Sequence, residues 1–362
     1  MPIRMKDIAK ELNVSVVTIS KVLRGHPDIS SETKKRVLQR VSDLNYRPNL
    51  AARSLVTGRT YMVGLVVPDL LHPFFAQIAE GVGRRIRSKG YNVVLFSSSE
   101  DAELEIEGIE SLLAHRVDGL VVASTLSPPQ SEIYQRIGHQ KVPLVLVDRE
   151  VPGLLANFVG TDNQQLGVMA TEHLFQRGAR RIAHIRGPEV STANGRLMGF
   201  VNTMERCGLP VRAEYIVKAE YSDTRAEECG FAAMRRLLAV DPRPDAVFCY
   251  NDLIAIGALR AILATGMRVP EDIALIGAAN VPFSDMFKVP LSTIDQDSQT
   301  IGDRAAKLLL RCMQPDQIHR RTRICVPPKL LVRASSAFTV KREEVTERTE
   351  HSPITLVGAT PH

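Results

Sequence analysis

Small apolar side chains and a lysine near the N-terminus are the residues whose types and spacing most directly suggest chemistry. Val16, Val17, Thr18 and Lys21 share the exposed side of a helix predicted over residues 16–23. Small apolar groups contact thymine methyls in the major groove of DNA, and a lysine reaches guanine or phosphate oxygens. The pattern therefore predicts a DNA-recognition helix. The alternative is the solvent-facing side of an ordinary surface helical hairpin.

Two neighbouring helices are predicted to position this segment. Residues 5–12 place their apolar side chains on one helical face. A third helix with an apolar stripe begins at residue 30 or 31 and ends at residue 44. Ser15 ends a three-residue break between the first two helices and can cap the second through its hydroxyl. Helices joined by so tight a turn cross steeply, so the second one protrudes.

The basic charge of the chain is concentrated in this N-terminal segment. Residues 1–60 contain 12 Lys or Arg and five Asp or Glu, whereas residues 61–362 contain 34 and 35. A confined basic surplus is the electrostatic footprint of nucleic-acid binding, because phosphate contacts release counterions. A solvated basic tail is the alternative, but a tail would lack the helical periodicity of this segment.

Beyond residue 60, short apolar runs alternate with helical segments. The runs are continuous enough in Val, Leu and Ile to form strands buried on both faces. Several predicted helices end at a glycine, as at Gly90, Gly178 and Gly266, where a left-handed cap costs least. This pattern predicts two doubly wound α/β lobes. The candidate strands are residues 62–68, 91–96, 119–123 and 144–147, then 158–160, 182–185, 215–217, 246–249 and 273–276.

Residues directly after these strands are candidates for binding a ligand, because ligands of open α/β sheets lie beyond the carboxyl ends of the strands. The rule selects residues 72–75, Asp148, Asn251 with Asp252, and residues 278–280. Each has a structural alternative. The two phenylalanines in residues 72–75 would also suit a helix start in the core, and the acids and the amide would suit helix caps or hinge hydrogen bonds.

Two stretches of the N-terminal segment carry a family resemblance. The run DIAKELNVSVVTISKVLRG, followed by SSETKKRVLQRVSDLNYRPNLAARSL, resembles the headpiece of the lactose-repressor (LacI/GalR) family of bacterial transcription regulators. The similarity continues to about residue 336. The resemblance implies an all-α helix-turn-helix headpiece followed by an α/β sensor like a periplasmic binding protein, with two doubly wound parallel-sheet lobes around a cleft.

The resemblance also implies where these domains begin and end. The headpiece is expected at residues 1–46, the hinge helix and linker at 47–60, and the sensor at 61–338. Within the sensor, the first lobe is expected at about 61–160 with 291–338, and the second at about 161–290. Residues 339–362 are polar and are predicted to form a disordered tail.

In that family, residues at the positions of Val16, Val17 and Lys21 contact bases in the major groove, and those matching residues 49–55 form a hinge helix in the minor groove. The resemblance implies that Leu55 is an apolar wedge that unstacks a central base step and bends the duplex. Because the three major-groove residues differ from those of well-known members, the operator sequence is not implied. The DNA-binding candidates are Ser15, Val16, Val17, Thr18, Ser20, Lys21, Arg24, Asn49, Ala52, Arg53 and Leu55.

The resemblance implies effector contacts at seven positions of the sensor. These are Phe74, Phe75, Asp148, Arg196, Tyr221, Asn251 and Gln296. Aromatic rings, carboxamides, an acid and a guanidinium together suit a polyhydroxylated ligand, since rings stack on apolar sugar faces while polar groups fix orientation. Outside such an alignment, Arg196 would be interpreted as part of a surface ion pair.

One departure from the family concerns charge. Many members have an aspartate shortly after the strand matching residues 273–276, where this chain has Ala278 and Ala279. With Arg196 retained and Arg149 next to Asp148, the loss of one carboxylate shifts the local potential toward attracting anions. The hypothesis is that the effector is a sugar acid or sugar phosphate rather than a neutral sugar.

Together these features predict a sequence-specific transcriptional repressor of carbohydrate-utilisation genes, controlled by a sugar or sugar derivative. The expected partners are palindromic double-stranded operator DNA, the effector and a second copy of the chain, because each headpiece would occupy one half-site. The tail lacks a clear leucine heptad, which favours a homodimer over a tetramer. A corepressor-dependent regulator that senses a non-sugar metabolite is the alternative.

Other classes of protein find little support in the sequence. It has no G-x-x-x-x-G-K-[ST], H-E-x-x-H or G-x-S-x-G motif, so we expect no enzyme activity, catalytic residues, metal or cofactor. The five cysteines are far apart and are expected to be reduced thiols. The N-terminus has no apolar signal region, so a solute-binding transport protein is disfavoured and a cytoplasmic protein is expected.

Overall fold

The structure, a computed structural model of the chain, describes residues 3–23, 26–46, 54, 57–126, 132–220, 226–314 and 320–337. The chain divides into two units. The first extends to Gly160 and includes Gln299–Ile324, and the second contains Thr161–Ser298 and continues from Cys325.

The N-terminal segment forms three helices, which are α1 at Met5–Glu11, α2 at Val16–Leu23 and α3 at Ser31–Asp43. Their apolar faces meet in a small core to which α1 contributes Ile8, α2 contributes Ile19 and α3 contributes Val37. The Thr18 backbone N–H donates to the Ser15 hydroxyl at 2.9 Å, so the predicted cap of α2 is confirmed. The predicted three-helix headpiece is therefore confirmed.

Two sheets and their helices follow in the described residues. The strands are β1 Met62–Val67, β2 Asn92–Ser97, β3 Gly119–Val122, β4 Leu144–Val147, β5 Asn157–Thr161, β6 Ile182–Arg186, β7 Ile216–Lys218, β8 Ala246–Cys249, β9 Ala274–Ala278, β10 Ser292–Asp295, β11 Arg323–Val326 and β12 Lys329–Leu331. The helices are α4 Pro73–Arg87, α5 Ala102–Ala114, α6 Glu132–His139, α7 Asn163–Gln176, α8 Ser191–Arg206, α9 Ala226–Leu238, α10 Asp252–Ala264 and α11 Ser298–Cys312, with short 3-10 helices at Ala213–Tyr215 and Ala334–Ser336.

The first sheet has the order β11-β5-β4-β3-β1-β2, and the second has the order β12-β10-β9-β8-β6-β7. Pairing is parallel among β1 to β5 and from β6 to β10, while β12 runs antiparallel to β10. The strand order reverses beside β1 in one sheet and beside β6 in the other. Such reversals open a crevice at the carboxyl ends of the strands, which is where ligands of these folds bind.

The prediction of two doubly wound lobes is confirmed, and each of the nine candidate strands overlaps an observed one. The short glycine caps are also confirmed, because Gly90 has a φ of +77° and Gly266 a φ of +78°, values in the left-handed region.

One predicted boundary is wrong. Residues 291–338 were expected to return to the first lobe, and α11 and β11 do so, but β10 and β12 belong to the second sheet. The register explains this, because Thr293 of β10 pairs with Gly277 of β9 and with Leu331 of β12. Apolar patterning marks a buried strand but does not specify which of two similar sheets receives it.

Candidate DNA interface and effector site

The exposed side of α2 carries the apolar side chains that were predicted to contact DNA bases. Val16 is 44% exposed and Val17 61% exposed, whereas Ile19 and Val22 are buried in the headpiece core. Lys21 follows Val17 by four residues and therefore lies on the same side of the helix. The structure thus brings two apolar groups and one ammonium to a single helical surface, as contact with the major groove requires.

The hydroxyl residues of this helix have local partners. The Ser15 and Thr18 hydroxyl oxygens lie 2.9 Å apart, and the Ser15 oxygen also accepts the Thr18 N–H. Ser20 is half-buried. Ser15 therefore caps α2 in the absence of DNA, whether or not it also contacts DNA.

Lys21 is held by an acidic partner that the sequence analysis did not identify. Its ammonium nitrogen lies 2.5 Å from Oδ2 of Asp28, and Nδ1 of His26 lies 2.6 Å from the other carboxylate oxygen. Asp28 is 45% exposed in the turn before α3. The hydrogen bond from Lys21 lowers the pKa of the Asp28 carboxyl, so the carboxylate is ionised at neutral pH.

The remaining predicted DNA contacts lie outside the described residues. They are Arg24, Asn49, Ala52, Arg53 and Leu55. The hinge helix and the wedge therefore stay predictions from the sequence. The same holds for Tyr221 among the effector candidates and for the tail at residues 339–362.

In the second unit, Arg196 is the centre of a buried polar cluster at the carboxyl edge of the sheet. It lies on α8, which follows β6, and is 4% exposed. Nε donates to Oδ1 of Asn163 at 3.0 Å, one terminal nitrogen donates to the Tyr250 carbonyl, and the other donates to Oε1 of Gln296 at 3.1 Å. The guanidinium also lies 4.6 Å from the centre of the Tyr250 ring.

All three acceptors of Arg196 are neutral. Among the described residues of the second unit, no carboxylate pairs with this guanidinium. Gln296 is 2% exposed, and its Nε2 has no hydrogen-bond partner among the described residues. The cluster therefore contains a buried cation without a counterion from its own unit and a buried amide donor, both of which suit an oxygen-rich ligand.

Asn251 and Asp252, which begin α10, have structural roles in this conformation. The Asn251 side chain accepts the Ile254 N–H at 2.9 Å and caps the helix. Asp252 is fully buried, where it accepts the Val281 N–H at 2.9 Å and the Thr293 hydroxyl at 2.7 Å. Burial raises the pKa of Asp252 to about 6, while these hydrogen bonds lower it.

Ala278 is the last residue of β9 in the same unit, and Ala279 directly follows the strand. Ala279 is 6% exposed and has a φ of +118°, and Asn280 has a φ of +52°. Arg333 donates to Oδ1 of Asn280 at 2.9 Å, which fixes the turn. Backbone conformations of this kind are costly for non-glycine residues and cluster at ligand sites.

In the first unit, the candidate residues Phe74 and Phe75 lie in the first turn of α4. The rings of Phe74 and Phe75 are 5.3 Å apart in an edge-to-face arrangement, and each residue is 5% exposed. His72 accepts the Phe74 N–H through Nδ1 at 3.2 Å and packs against both rings. Their burial is equally compatible with a place in the core, so both interpretations given by the sequence remain.

Arg149, which directly follows Asp148 and lies 5.7 Å from the centre of the Phe75 ring, does not add net positive charge. Arg149 is 3% exposed and donates two hydrogen bonds, at 2.6 and 2.7 Å, to the carboxylate of Glu100. Asp148 is 3.9 Å from Nε of Arg149 and has a φ of +63°. Arg149 therefore does not contribute to an anion-attracting potential, contrary to the prediction, because the two acids neutralise it.

Four functional candidates escaped the sequence analysis for two different reasons. Tyr250 directly follows β8 and Asn163 begins α7 after β5, so the rule that selected Asn251 would have selected them. Glu100 is 49 residues before Arg149, and Asp28 pairs with Lys21 across a turn. The spacing of these residues along the sequence does not predict either ion pair.

No group of three or more His, Cys, Asp or Glu side chains suited to a metal ion occurs among the described residues. The five cysteines all fall within the described part of the chain and form no disulfide bond. In the ranges that the structure describes, no helix is both long and apolar enough to cross a membrane.

Comparison with protein families gives two matches along the chain. Residues 4–49 match the model of bacterial regulatory proteins of the lacI family. Residues 171–336 match a periplasmic binding protein-like domain. The matched ranges correspond to the three-helix headpiece and to most of the second unit with the segments that follow it.

Curated relatives and solved structures resemble the chain over nearly its whole length. The ribose operon repressor of Halalkalibacterium halodurans is 32% identical over 92% of this chain and 96% of its own. The transcriptional repressor PurR of Pasteurella multocida is 32% identical over 91% and 98%. The Lac repressor dimer bound to operator and an anti-inducer is 26% identical, with a TM-score of 0.82 over 93% of this chain and 99% of that one. The regulator CelR in complex with cellobiose is 30% identical, with a TM-score of 0.69 over 92% and 99%.

Proposed function

The chain belongs to the lacI family of bacterial regulatory proteins and is a DNA-binding transcriptional repressor, and from that premise we propose that it binds a palindromic operator as a homodimer under the control of a small-molecule effector. The observation that carries the DNA-binding part is the exposed face of α2, where Val16, Val17 and Lys21 project from a headpiece with a basic surplus.

A dimer is supported by the headpiece itself. One helix of eight residues contacts only a few base pairs, so specificity and affinity require two headpieces on two half-sites. The Lac repressor, which this chain resembles over 93% of its length, is a dimer on its operator. We infer that the protein acts in the cytoplasm, where the chromosome lies.

Selection from random duplexes tests the DNA-binding proposal. The full chain should enrich a palindrome, and Leu55→Ala should weaken binding to that palindrome while sparing most binding to random DNA, because phosphate contacts remain. Lys21→Ala should relax base preference near the outer end of each half-site. Failure to prefer any palindrome under every ligand condition would refute the proposal.

The effector proposal rests on Arg196. Among the described residues of the second unit, its buried charge is met by neutral oxygens. The family resemblance implies that Ala278 and Ala279 stand where many members have an aspartate. A buried cation is stabilised best by an anion. We propose a sugar derivative with a carboxylate or phosphate, bound with that group at Arg196, and the induction of carbohydrate-utilisation genes as the result.

Titration of the operator complex with a ligand panel tests this chemistry. The panel pairs neutral sugars, such as ribose and cellobiose, with sugar acids, sugar phosphates and nucleobases. Anionic sugars are expected to change operator affinity, and Ala279→Asp should weaken their effect by adding a carboxylate. A response to neutral sugars alone would refute the charge argument.

A second candidate is a corepressor-dependent regulator that senses a non-sugar metabolite. Several of the relatives are PurR proteins, which are as similar to this chain as the ribose repressor. The titration separates the two candidate functions by the direction in which operator affinity changes and by the class of ligand that changes it. Tighter operator binding with a nucleobase would favour the corepressor mechanism, and weaker binding with a sugar derivative would favour induction.

A further inference from the structure

We propose that Asp28 acts as an internal competitor for Lys21, so that the carboxylate must be displaced before this lysine can contact DNA. The inference rests on the proposed role of α2 in the major groove. It assigns to Asp28, a residue that does not itself have to touch DNA, control over how much sequence-independent affinity the headpiece has.

The geometry of the turn places Asp28 against the DNA-contacting face of α2. The His26 N–H donates to the Lys21 carbonyl at 3.0 Å, which folds the turn back along the helix end. Asp28 then lies with one carboxylate oxygen 2.5 Å from the Lys21 ammonium and the other 2.6 Å from the His26 ring. The carboxylate is thereby shared by two basic side chains.

Three of the four other acids of the headpiece are engaged away from this face, and the fourth, Glu32, is exposed in the first turn of α3. Asp7 accepts the Arg4 N–H at the start of α1, Glu11 pairs with Arg40, and Asp43 accepts from Gln39 on α3. None of these three pairs with a residue of α2 in the described part of the headpiece. Asp28 is therefore placed to neutralise the ammonium that follows the exposed valines.

A partner of this kind changes the salt dependence of DNA binding. An isolated lysine that meets a phosphate releases a counterion, which steepens the fall of log K with log salt by about 0.9 per contact. A lysine already paired with a carboxylate has no net charge to exchange, so its contact adds little to nonspecific binding. At a specific site, the surrounding base and backbone contacts position Lys21 against guanine, and their added free energy offsets displacement of the carboxylate.

The test measures binding of the full chain to a fluorescent random-sequence duplex across a series of potassium chloride concentrations. Asp28→Asn is expected to bind about threefold more tightly at low salt and to show a log K against log salt slope steeper by about 0.9. Asp43→Asn is the matched control, because it removes the same charge from an exposed position on α3. It is expected to give a smaller gain in affinity and an unchanged slope.

Lys21→Ala distinguishes displacement from simple repulsion. If Asp28 acts through Lys21, Asp28→Asn in the Lys21→Ala background should lose the slope change and behave like Asp43→Asn. Equal behaviour of Asp28→Asn and Asp43→Asn in the wild-type background would overturn the inference, and so would an effect of Asp28→Asn that persists without Lys21.

Two further measurements keep these outcomes interpretable. Asp28→Ser removes the carboxylate with a different side chain and should reproduce Asp28→Asn. Thermal unfolding of each variant should match wild type, because the pair is exposed. If the wild-type chain bound no duplex at any salt concentration, DNA binding itself would be refuted, whereas equality of the Asp28 and Asp43 variants refutes only the present inference.

Discussion

Two buried guanidinium groups lie near the carboxyl edges of the two sheets, and their partners differ in charge. Arg149 follows β4 in the first unit and is bound by the Glu100 carboxylate at 2.6 and 2.7 Å, with Asp148 3.9 Å away. Arg196 is on α8 in the second unit and is held by three neutral oxygens. The two residues are 3% and 4% exposed, so burial does not explain the difference.

The comparison shows that a shared topology does not determine the electrostatics of the site it creates. A buried charge is costly unless it is paired and hydrogen-bonded. The first unit meets that requirement with its own acid. The second unit supplies hydrogen bonds but no counterion among its described residues, so its cation keeps a charge that a ligand can neutralise.

Replacement of Arg196 by methionine is expected to have the largest effect on effector binding. Loss of charged hydrogen bonds to the ligand should weaken effector binding by about 100-fold, since such bonds contribute about 1.5–3 kcal/mol each. The effector response of the operator complex measures this. Arg206→Met on the same helix is the control, because that side chain is 58% exposed. An unchanged effector response in Arg196→Met would contradict the proposal that Arg196 binds the effector.

Acid is expected to destabilise the second unit. His184 is fully buried between the rings of Phe200 and Phe248, and burial lowers its pKa to about 4. As pH falls from 6.5 to 4, His184 binds a proton in the unfolded chain but not in the folded chain. Its contribution to the free energy of unfolding therefore falls by about 3 kcal/mol. Asp252, with a pKa of about 6, works in the opposite direction, because its folded form gains the proton first.

Hydrogen exchange at pH 7 and pH 4.5 measures this loss in peptides from the second unit. His184→Leu should make exchange in those peptides less sensitive to pH, while Asp252→Asn should make it more sensitive. His173 has a similarly lowered pKa of about 4, so part of the acid sensitivity should remain in His184→Leu. Identical pH profiles for wild type and His184→Leu would contradict the assignment.

Replacement of Glu100 by glutamine tests the first unit. It gives the buried Arg149 cation a neutral hydrogen-bond partner and leaves Asp148 3.9 Å from its Nε. We expect a loss of about 2 kcal/mol in the free energy of unfolding, less than for a fully buried pair, because Asp148 remains and Glu100 is 26% exposed. Denaturant unfolding measures the loss. Glu103→Gln is a control at an exposed position in the first turn of α5, and an equal effect there would argue against the ion pair.

The sequence predicted the elements of this site better than its interactions. Strands such as β8 and the helix start at Asn251 followed from apolar runs and capping residues, which are local signals. The pairing of Arg149 with Glu100, the sharing of Asp28 and the sheet that receives β10 depend on contacts between distant residues. Whether Arg196 is an effector contact came from family resemblance, and its neutral surroundings were visible only in three dimensions.

The smallest predicted effect concerns Asn163, one of the neutral hydrogen-bond partners of Arg196. Asn163 accepts from Nε of Arg196 at 3.0 Å and donates to the Thr161 carbonyl at 3.2 Å, so Asn163→Ala removes one of three supports. We expect a loss of about 1 kcal/mol in stability and about fivefold in effector affinity, because a less constrained guanidinium pays more entropy on binding. Asn194→Ala, at an exposed position on α8, should change neither.

If Asn163→Ala cost as much stability as Glu100→Gln, the neutral oxygens would already be compensating the charge of Arg196 as fully as a carboxylate compensates Arg149. The second unit would then have no electrostatic reason to prefer an anionic ligand, and the contrast between the two guanidinium groups would reduce to a difference in partner type.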